Sequence, residues 1–272
     1  MTPPDIPTAA SGRPALDVAR ALAEEAGRMA IASSRRPREV AVKGRGNILT
    51  ETDLACERYI IDALAEEFPD CAVLSEETAA DTATDGYVWV VDPLDGTKNF
   101  ASGIPFFCCN IALCLDGEPL VAVTHDPSHN ETFWAQRGGG AFVDGEPIRA
   151  SERATVLESV VGLDLGYDNE RGRGLLQLAT ALFPGMQSLR IPGSAALGIA
   201  YAACGRYDVF LHRFLYPWDL AAGILLVREA GGAITDFAGG PIAITSRTVL
   251  AGGPRVHADL LAWQREHGAM ET

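Results

Sequence analysis

Trp89-Val90-Val91-Asp92-Pro93-Leu94-Asp95-Gly96-Thr97-Lys98-Asn99-Phe100 is the stretch of this 272-residue chain from which the fold is read. With Tyr87 and Val88 before it, the stretch opens as a short β-branched and aromatic run, the composition of a buried strand. The run meets two aspartates on a turn. Pro93 fixes the chain after Asp92 and Gly96 permits a tight bend, so both carboxylates can face one point while the N–H groups of Gly96 and Thr97 open toward an anion.

Outward from this stretch the sequence alternates helical and strand patterns. Apolar residues at helical spacing from Ala15 to Ala32 predict an amphipathic helix, and a second helix is expected from about Asp53 to Phe68, capped by Thr52 or Asp53 and stopped by Pro69. Between them, Arg35 to Arg38 and the run Lys43 to Asn47 read as a mobile hairpin or loop. Strands are expected at Ala72 to Ser75, Phe107 to Leu115, Leu120 to Asp126 and Thr132 to Gln136. From about Ala150 the alternation resumes: strand Val156 to Leu163, helix Gly174 to Phe183, strand Ser188 to Ile191, helix Ser194 to Cys204, strand Tyr207 to His212, helix Leu220 to Ala230. This order implies a layered α+β or α/β architecture rather than a barrel of regular βα units. Two halves, residues 1–150 and 151–272, are expected to form one compact unit.

Charge narrows the function. With 22 Lys+Arg against 36 Asp+Glu the net charge is −14, which disfavours nucleic acid and anionic membranes as partners. Lys43 and Lys98 are the only lysines and the arginines are scattered, so a phosphorylated ligand would need a bound cation to reverse the local sign. The six cysteines form no C-x-x-C pair and read as reduced core residues. The chain shows neither a leader-like start nor an apolar run of about 18 residues, which leads to the expectation of a cytoplasmic protein.

Three acidic clusters stand where strands end or helices begin: Glu76-Glu77, Asp92 with Asp95, and Asp219. Oxygen-only ligands of this kind suit Mg²⁺ or Mn²⁺ rather than zinc. Taken singly, each has an ordinary explanation: Asp-Pro and Asp-Gly are turn pairs, Asp219 precedes an apolar helix as an N-cap would, and Glu76-Glu77 reads as a solvated pair. Their joint pattern is the signal. No G-x-S-x-G elbow, P-loop or H-E-x-x-H pattern competes with it.

The stretch around Asp92, together with Trp218-Asp219-Leu220-Ala221-Ala222-Gly223 and Glu229-Ala230-Gly231-Gly232, resembles the inositol monophosphatase family of Mg²⁺-dependent, lithium-sensitive phosphomonoesterases. Thr50-Glu51-Thr52-Asp53, Ser75-Glu76-Glu77, Gly139-Gly140-Ala141-Phe142 and Gly193-Ser194-Ala195 extend the resemblance over nearly the whole chain. It implies an αβαβα layered sandwich of the inositol monophosphatase and fructose-1,6-bisphosphatase type. It also implies two or three Mg²⁺ ions held by Glu76, Asp92, the Leu94 carbonyl, Asp95 and Asp219. By the same resemblance Glu76 and Thr97, with Asp92, would serve a water nucleophile. Asp95, Gly96, Thr97, Gly193, Ser194, Ala195, His212 and Asp219 would contact a small phosphorylated metabolite, and a homodimer is implied.

Two departures from the family pattern carry expectations. Asn47 stands where relatives have an aspartate that, with Asp53, helps hold a loosely bound third ion, so that ion should bind more weakly. His212 replaces a glutamate that reads inositol hydroxyls, and with Arg213 it would bring donors and positive charge, suiting a substrate that carries a second anionic group or differs from inositol altogether. Histidinol phosphate, fructose 1,6-bisphosphate and 3′-phosphoadenosine nucleotides stay open as substrates, as does a non-catalytic regulatory binding protein.

Overall fold

The computed structural model describes residues 5–34, 40–44, 47–77 and 84–267, with the backbone alone at 40–44 and 47. Helix α1 (Ala15–Ser34) is followed by the strands β1 (Val40–Gly44) and β2 (Asn47–Thr50), an antiparallel hairpin, and by helix α2 (Glu51–Glu67). Arg35 to Arg38, and Arg45 and Gly46 of the expected mobile loop, lie outside the described residues.

Strands β3 (Ala72–Ser75), β4 (Tyr87–Asp95), β5 (Cys108–Leu115), β6 (Glu118–Asp126), β7 (Glu131–Gln136), β8 (Gly140–Val143) and β9 (Glu146–Pro147) form one sheet in sequential order, parallel between β3 and β4 and antiparallel elsewhere. A short helix α3 (Thr97–Ser102) leaves β4. The second sheet runs β11-β10-β12-β14-β13, from β10 (Val160–Asp164), β11 (Ser188–Arg190), β12 (Val209–His212), β13 (Ala233–Thr235) and β14 (Val249–Gly252). Helices α4 (Asn169–Leu182), α5 (Ala195–Ala203), α6 (Pro217–Glu229) and α7 (Pro254–Glu266) complete the chain.

Side-chain alternation on β4 explains the layering. Trp89 and Val91 face α1 and α2, where they bury Ile60, Leu64 and Ala19, while Val88 and Val90 face α5 and α6. On β12, Phe210 joins the core with α5 and α6, and Val209 and Leu211 pack against α4 and α7 through Leu178 and Leu260. The order is therefore helix pair, sheet, helix pair, sheet, helix pair, the αβαβα sandwich expected. Close approach of α5 to the second sheet requires Gly198, where a Cβ would stand 2.4 Å from the Phe210 ring. All six cysteines are free, and Cys56, Cys108, Cys109 and Cys114 are buried, as the reading of reduced core residues requires.

Several boundaries differ from expectation, and side-chain capping explains the important ones. Helix α2 starts at Glu51, with Thr50 rather than Thr52 or Asp53 at the N-cap, because Asp53 reaches back to the Thr50 N–H at 2.9 Å. Helix α6 starts at Pro217, so Asp219 is not the N-cap but the third helical residue, accepting from the Tyr216 N–H at 2.7 Å. The strand expected over Val156 to Leu163 divides into a 3₁₀ turn at Val156–Glu158 and β10. Strands β13 and β14 and helix α7 had no counterpart in the sequence reading.

Candidate active site

Six element ends, of β3, β4, β10, β12, α5 and α6, converge on one cavity of about 150 Å³. Strand β3 delivers Glu76 from its C-terminal end, where the Glu76 N–H donates to Val91 O at 3.2 Å. The neighbouring buried Glu57 accepts from the Ser75 hydroxyl and from the Glu77 N–H at 3.0 Å, anchoring this corner. Glu76 is half-buried and lines the cavity, which sets aside the reading of a solvated pair.

Strand β4 delivers Asp92 and Asp95. In an unbroken strand residues three apart would face opposite sides. The pairing with β5 shifts register between Asp92 and Asp95, at Pro93, which has no N–H to give the ladder. Asp92 Oδ1 accepts from the Leu94 N–H at 3.0 Å, and Gly96, at φ +94°, turns the chain into α3. Both carboxylates thus reach the same space.

Asp95 sits against the first turn of α5: its Oδ2 accepts from the Ala196 N–H at 2.8 Å and from the Ser194 hydroxyl. Asp219 enters from the first turn of α6, held in place by Asn110, which donates to Trp218 O at 2.6 Å. Asp92, Asp95 and Asp219 present carboxylate oxygens that lie within 4.8 Å of one another. Burial raises the Asp92 carboxyl well above the ordinary range, and the charges of Glu76, Asp95 and Asp219 add to the rise. Asp219 is raised in the same way, first by burial and then by Asp95. Asp95 is raised by burial against the opposing pull of Ser194 and the α5 amides. Mutually repelling oxygen-only donors, Asp92 and Asp95 buried and Asp219 half-buried, are the set that a hard divalent cation relieves. The donor set fits such an ion.

Thr97 also lines the cavity, and its single hydroxyl hydrogen has Asp53 Oδ1 at 2.9 Å as its nearer acceptor and Leu94 O at 3.2 Å as the alternative. Asp53 is buried, is not among the lining residues, and is engaged by Thr50 as well, so it stands behind Thr97 rather than in the cavity. The side chain of Asn47 lies outside the described residues. Gly96, Gly193, Ala195 and His212 line the cavity, whereas Ser194 is buried with its hydroxyl turned to Asp95.

The expectation of positive charge from His212 and Arg213 is corrected. His212 is buried, and loss of solvation holds its pKa down to about 3, so the ring is neutral. Its Nδ1 accepts from the Phe214 N–H at 3.0 Å, which leaves the proton on Nε2. Arg213 is not among the lining residues and lies with its guanidinium 4.8 Å from the Phe237 ring centroid. The sequence reading missed Asp164, Lys98 and Tyr167, which line the cavity, and an aromatic wall of Phe214, Tyr216 and Trp218. Burial pushes the Asp164 carboxyl up to about 6. A signal for Asp164 existed, an acidic residue ending an apolar strand of the second half.

The whole-chain resemblance is borne out by comparison with known proteins, since the sequence profile of the inositol monophosphatase family matches residues 12–269. The chain belongs to that family. It is a phosphoric monoester hydrolase. It is 38% identical to the inositol monophosphatase of Dictyostelium discoideum over 81% of this chain and 84% of that protein. It is 37% identical to the Nus factor SuhB of Escherichia coli over 93% and 96%. The solved structure of the Thermotoga maritima IMPase superposes with a TM-score of 0.83 at 34% identity, covering 92% of this chain and 96% of that one.

Proposed function

We propose that the enzyme hydrolyses the phosphate monoester of a small, uncharged, hydroxyl-bearing alcohol with the help of Mg²⁺. The observation that carries the catalytic part is the convergence of Asp92, Asp95 and Asp219 within 4.8 Å in a buried cavity that Glu76 also lines. These four, with the Leu94 carbonyl, would hold two ions, and Mn²⁺ satisfies the same donors. When bound, the ions would neutralise phosphate oxygens and acidify the attacking water.

The rest belongs to the side chains. The Thr97 hydroxyl hydrogen is directed at Asp53 Oδ1. Its oxygen is therefore free to accept from the attacking water and to orient it, while Glu76 takes the proton. The water oxygen bonds to phosphorus as the ester oxygen leaves in line and takes a proton from solvent water, Glu76 returning its own proton to solvent, which gives the free alcohol and inorganic phosphate without a covalent enzyme intermediate. Asp95, held by Ser194 and α5, and Asp219, held by Tyr216, keep their positions throughout.

The uncharged substrate is favoured because His212 is neutral, Arg213 lies over Phe237, and Lys98 is the one cationic side chain among the described residues lining the cavity, opposite Asp164. A second phosphate would find little to hold it. Asp92→Asn should abolish phosphate release while circular dichroism and melting stay near wild type; turnover equal to wild type would sink the assignment. Removing divalent ions with a chelator should stop turnover, and Mg²⁺ alone should restore it.

A regulatory role beside catalysis is supported by the similarity to the Escherichia coli protein named as a Nus factor. It predicts that an Asp92→Asn chain keeps a cellular effect that its phosphatase activity does not explain. A homodimer is supported by an apolar face on which Leu157 and Phe183 are 67% and 71% exposed beside half-exposed Leu176.

A further inference from the structure

Strands β10 and β12 pair in parallel, and their last registered pair is Asp164 with His212. Alternation directs Val161 and Leu163 of β10 toward α4 and α7, so Asp164 falls on the opposite face, as His212 does relative to Leu211. Both therefore stand at the carboxyl ends of parallel strands, where α/β sheets receive ligands, and both line the cavity. Neither belongs to the carboxylate trio.

Their hydrogen-bonding states are complementary. Asp164 Oδ1 accepts from the Leu165 N–H at 2.8 Å and the carboxylate also takes the Gly193 N–H, contacts that orient it and leave further lone pairs to accept from the cavity. His212 has its Nδ1 engaged by Phe214, so its Nε2–H is a donor. Lys98, the nearby cation, has its ammonium 4.4 Å from the centroid of the Tyr167 ring, and its charge and that of Asp164 act on each other. An acceptor and a donor about one strand spacing apart, about 4.8 Å, can engage two hydroxyls of one alcohol.

We propose that Asp164 is a specificity-determining residue that accepts a hydrogen bond from a hydroxyl of the leaving alcohol, with His212 Nε2–H donating to a neighbouring hydroxyl. The proposal rests on the reading of the substrate as a hydroxylated alcohol ester and adds the group that would select it. A buried acceptor left without a donor penalises any ester whose alcohol lacks that hydroxyl, so selection works by rejection as well as by binding.

The test compares myo-inositol 1-phosphate with cyclohexyl phosphate, a ring ester of similar shape without hydroxyls, in the Mg²⁺-loaded enzyme. Wild type should prefer the polyol ester in kcat/KM. In Asp164→Ala and Asp164→Asn that preference should fall about 10- to 100-fold, mainly through KM for the polyol ester. Should the alanine variant not fold, the near-isosteric asparagine variant, which keeps an oxygen for the Leu165 N–H, carries the comparison. A structural role would lower both substrates alike, and preservation of the wild-type preference in the variants overturns the proposal alone. A wild-type enzyme that hydrolyses both esters without preference overturns the substrate reading and the proposal with it.

Discussion

Thr97 shows how much of the chemistry is settled within one side chain. Its hydroxyl is pinned by Asp53 and by Leu94 O, so under the proposed mechanism the attacking water would be oriented by an oxygen at that place. Thr97→Ala should lower kcat by about 10²-fold or more, and Thr97→Ser should recover most of the loss, as read by phosphate release. His212 makes a different prediction. Burial holds its folded pKa to about 3, below the 6.5 of the unfolded chain. As pH falls below about 6.5 the unfolded chain takes up a proton that the folded one excludes, so this group costs stability progressively down to about pH 3. His212→Gln should make the unfolding free energy less steep in acid by up to about 1.4 kcal/mol per pH unit, measured by denaturant titration between pH 6.5 and 4.5. An unchanged slope would mean that the ring is solvated enough to protonate in the folded protein.

At the scale of elements, the site is built from ends: two parallel strand termini in each sheet and the first turns of α5 and α6. Such ends can be brought together only if the middle helix pair packs tightly. Gly198 lets α5 lie on Phe210, so Gly198→Ala must displace the ring or the helix. The expected cost is about 1–3 kcal/mol, a fall in melting temperature of about 2–4 °C for each kcal/mol, with Phe210→Leu restoring part of it. The helices most legible in the sequence, α1 and α2, have one apolar stripe and one sheet face to cover, so period 3.6 identifies them. Strands β13 and β14 are short, and the segment before α7 is rich in glycine and proline. Their identity comes from pairing with β12 and from each other, which no local pattern encodes.

For the whole molecule, part of the negative charge behind the net −14, that of Glu76, Asp92, Asp95 and Asp219, is gathered at one cavity, where repelling carboxylates oppose the fold that brings them together. Mg²⁺ at about 100 times its dissociation constant should therefore stabilise the enzyme by about 2.7 kcal/mol, seen as a rise in melting temperature that Asp92→Asn diminishes. The exposed face of Leu157, Leu176 and Phe183 predicts association of two chains, and Phe183→Glu should shift light scattering from dimer to monomer while leaving the fold in place. Among the described residues no helix is long and apolar enough to cross a membrane.

The sequence by itself determined the family, a layered helix-and-strand order and the acidic residues Glu76, Asp92, Asp95 and Asp219, and the resemblance to the family implied the αβαβα sandwich. The layering depends on apolar periodicity and the family on a proline and a glycine at one turn and two motifs rich in carboxylates. Only the tertiary structure decided that Ser194 is buried with its hydroxyl turned to Asp95, that Asp53 stands behind Thr97, that His212 is neutral and Arg213 turned to Phe237, and that Asp164 faces the same space. The physical reason is that burial, and with it charge state and hydrogen-bond direction, is set by what packs on each residue from distant parts of the chain. A sequence states which groups are present; their solvation is decided when the sheets close on the helices between them.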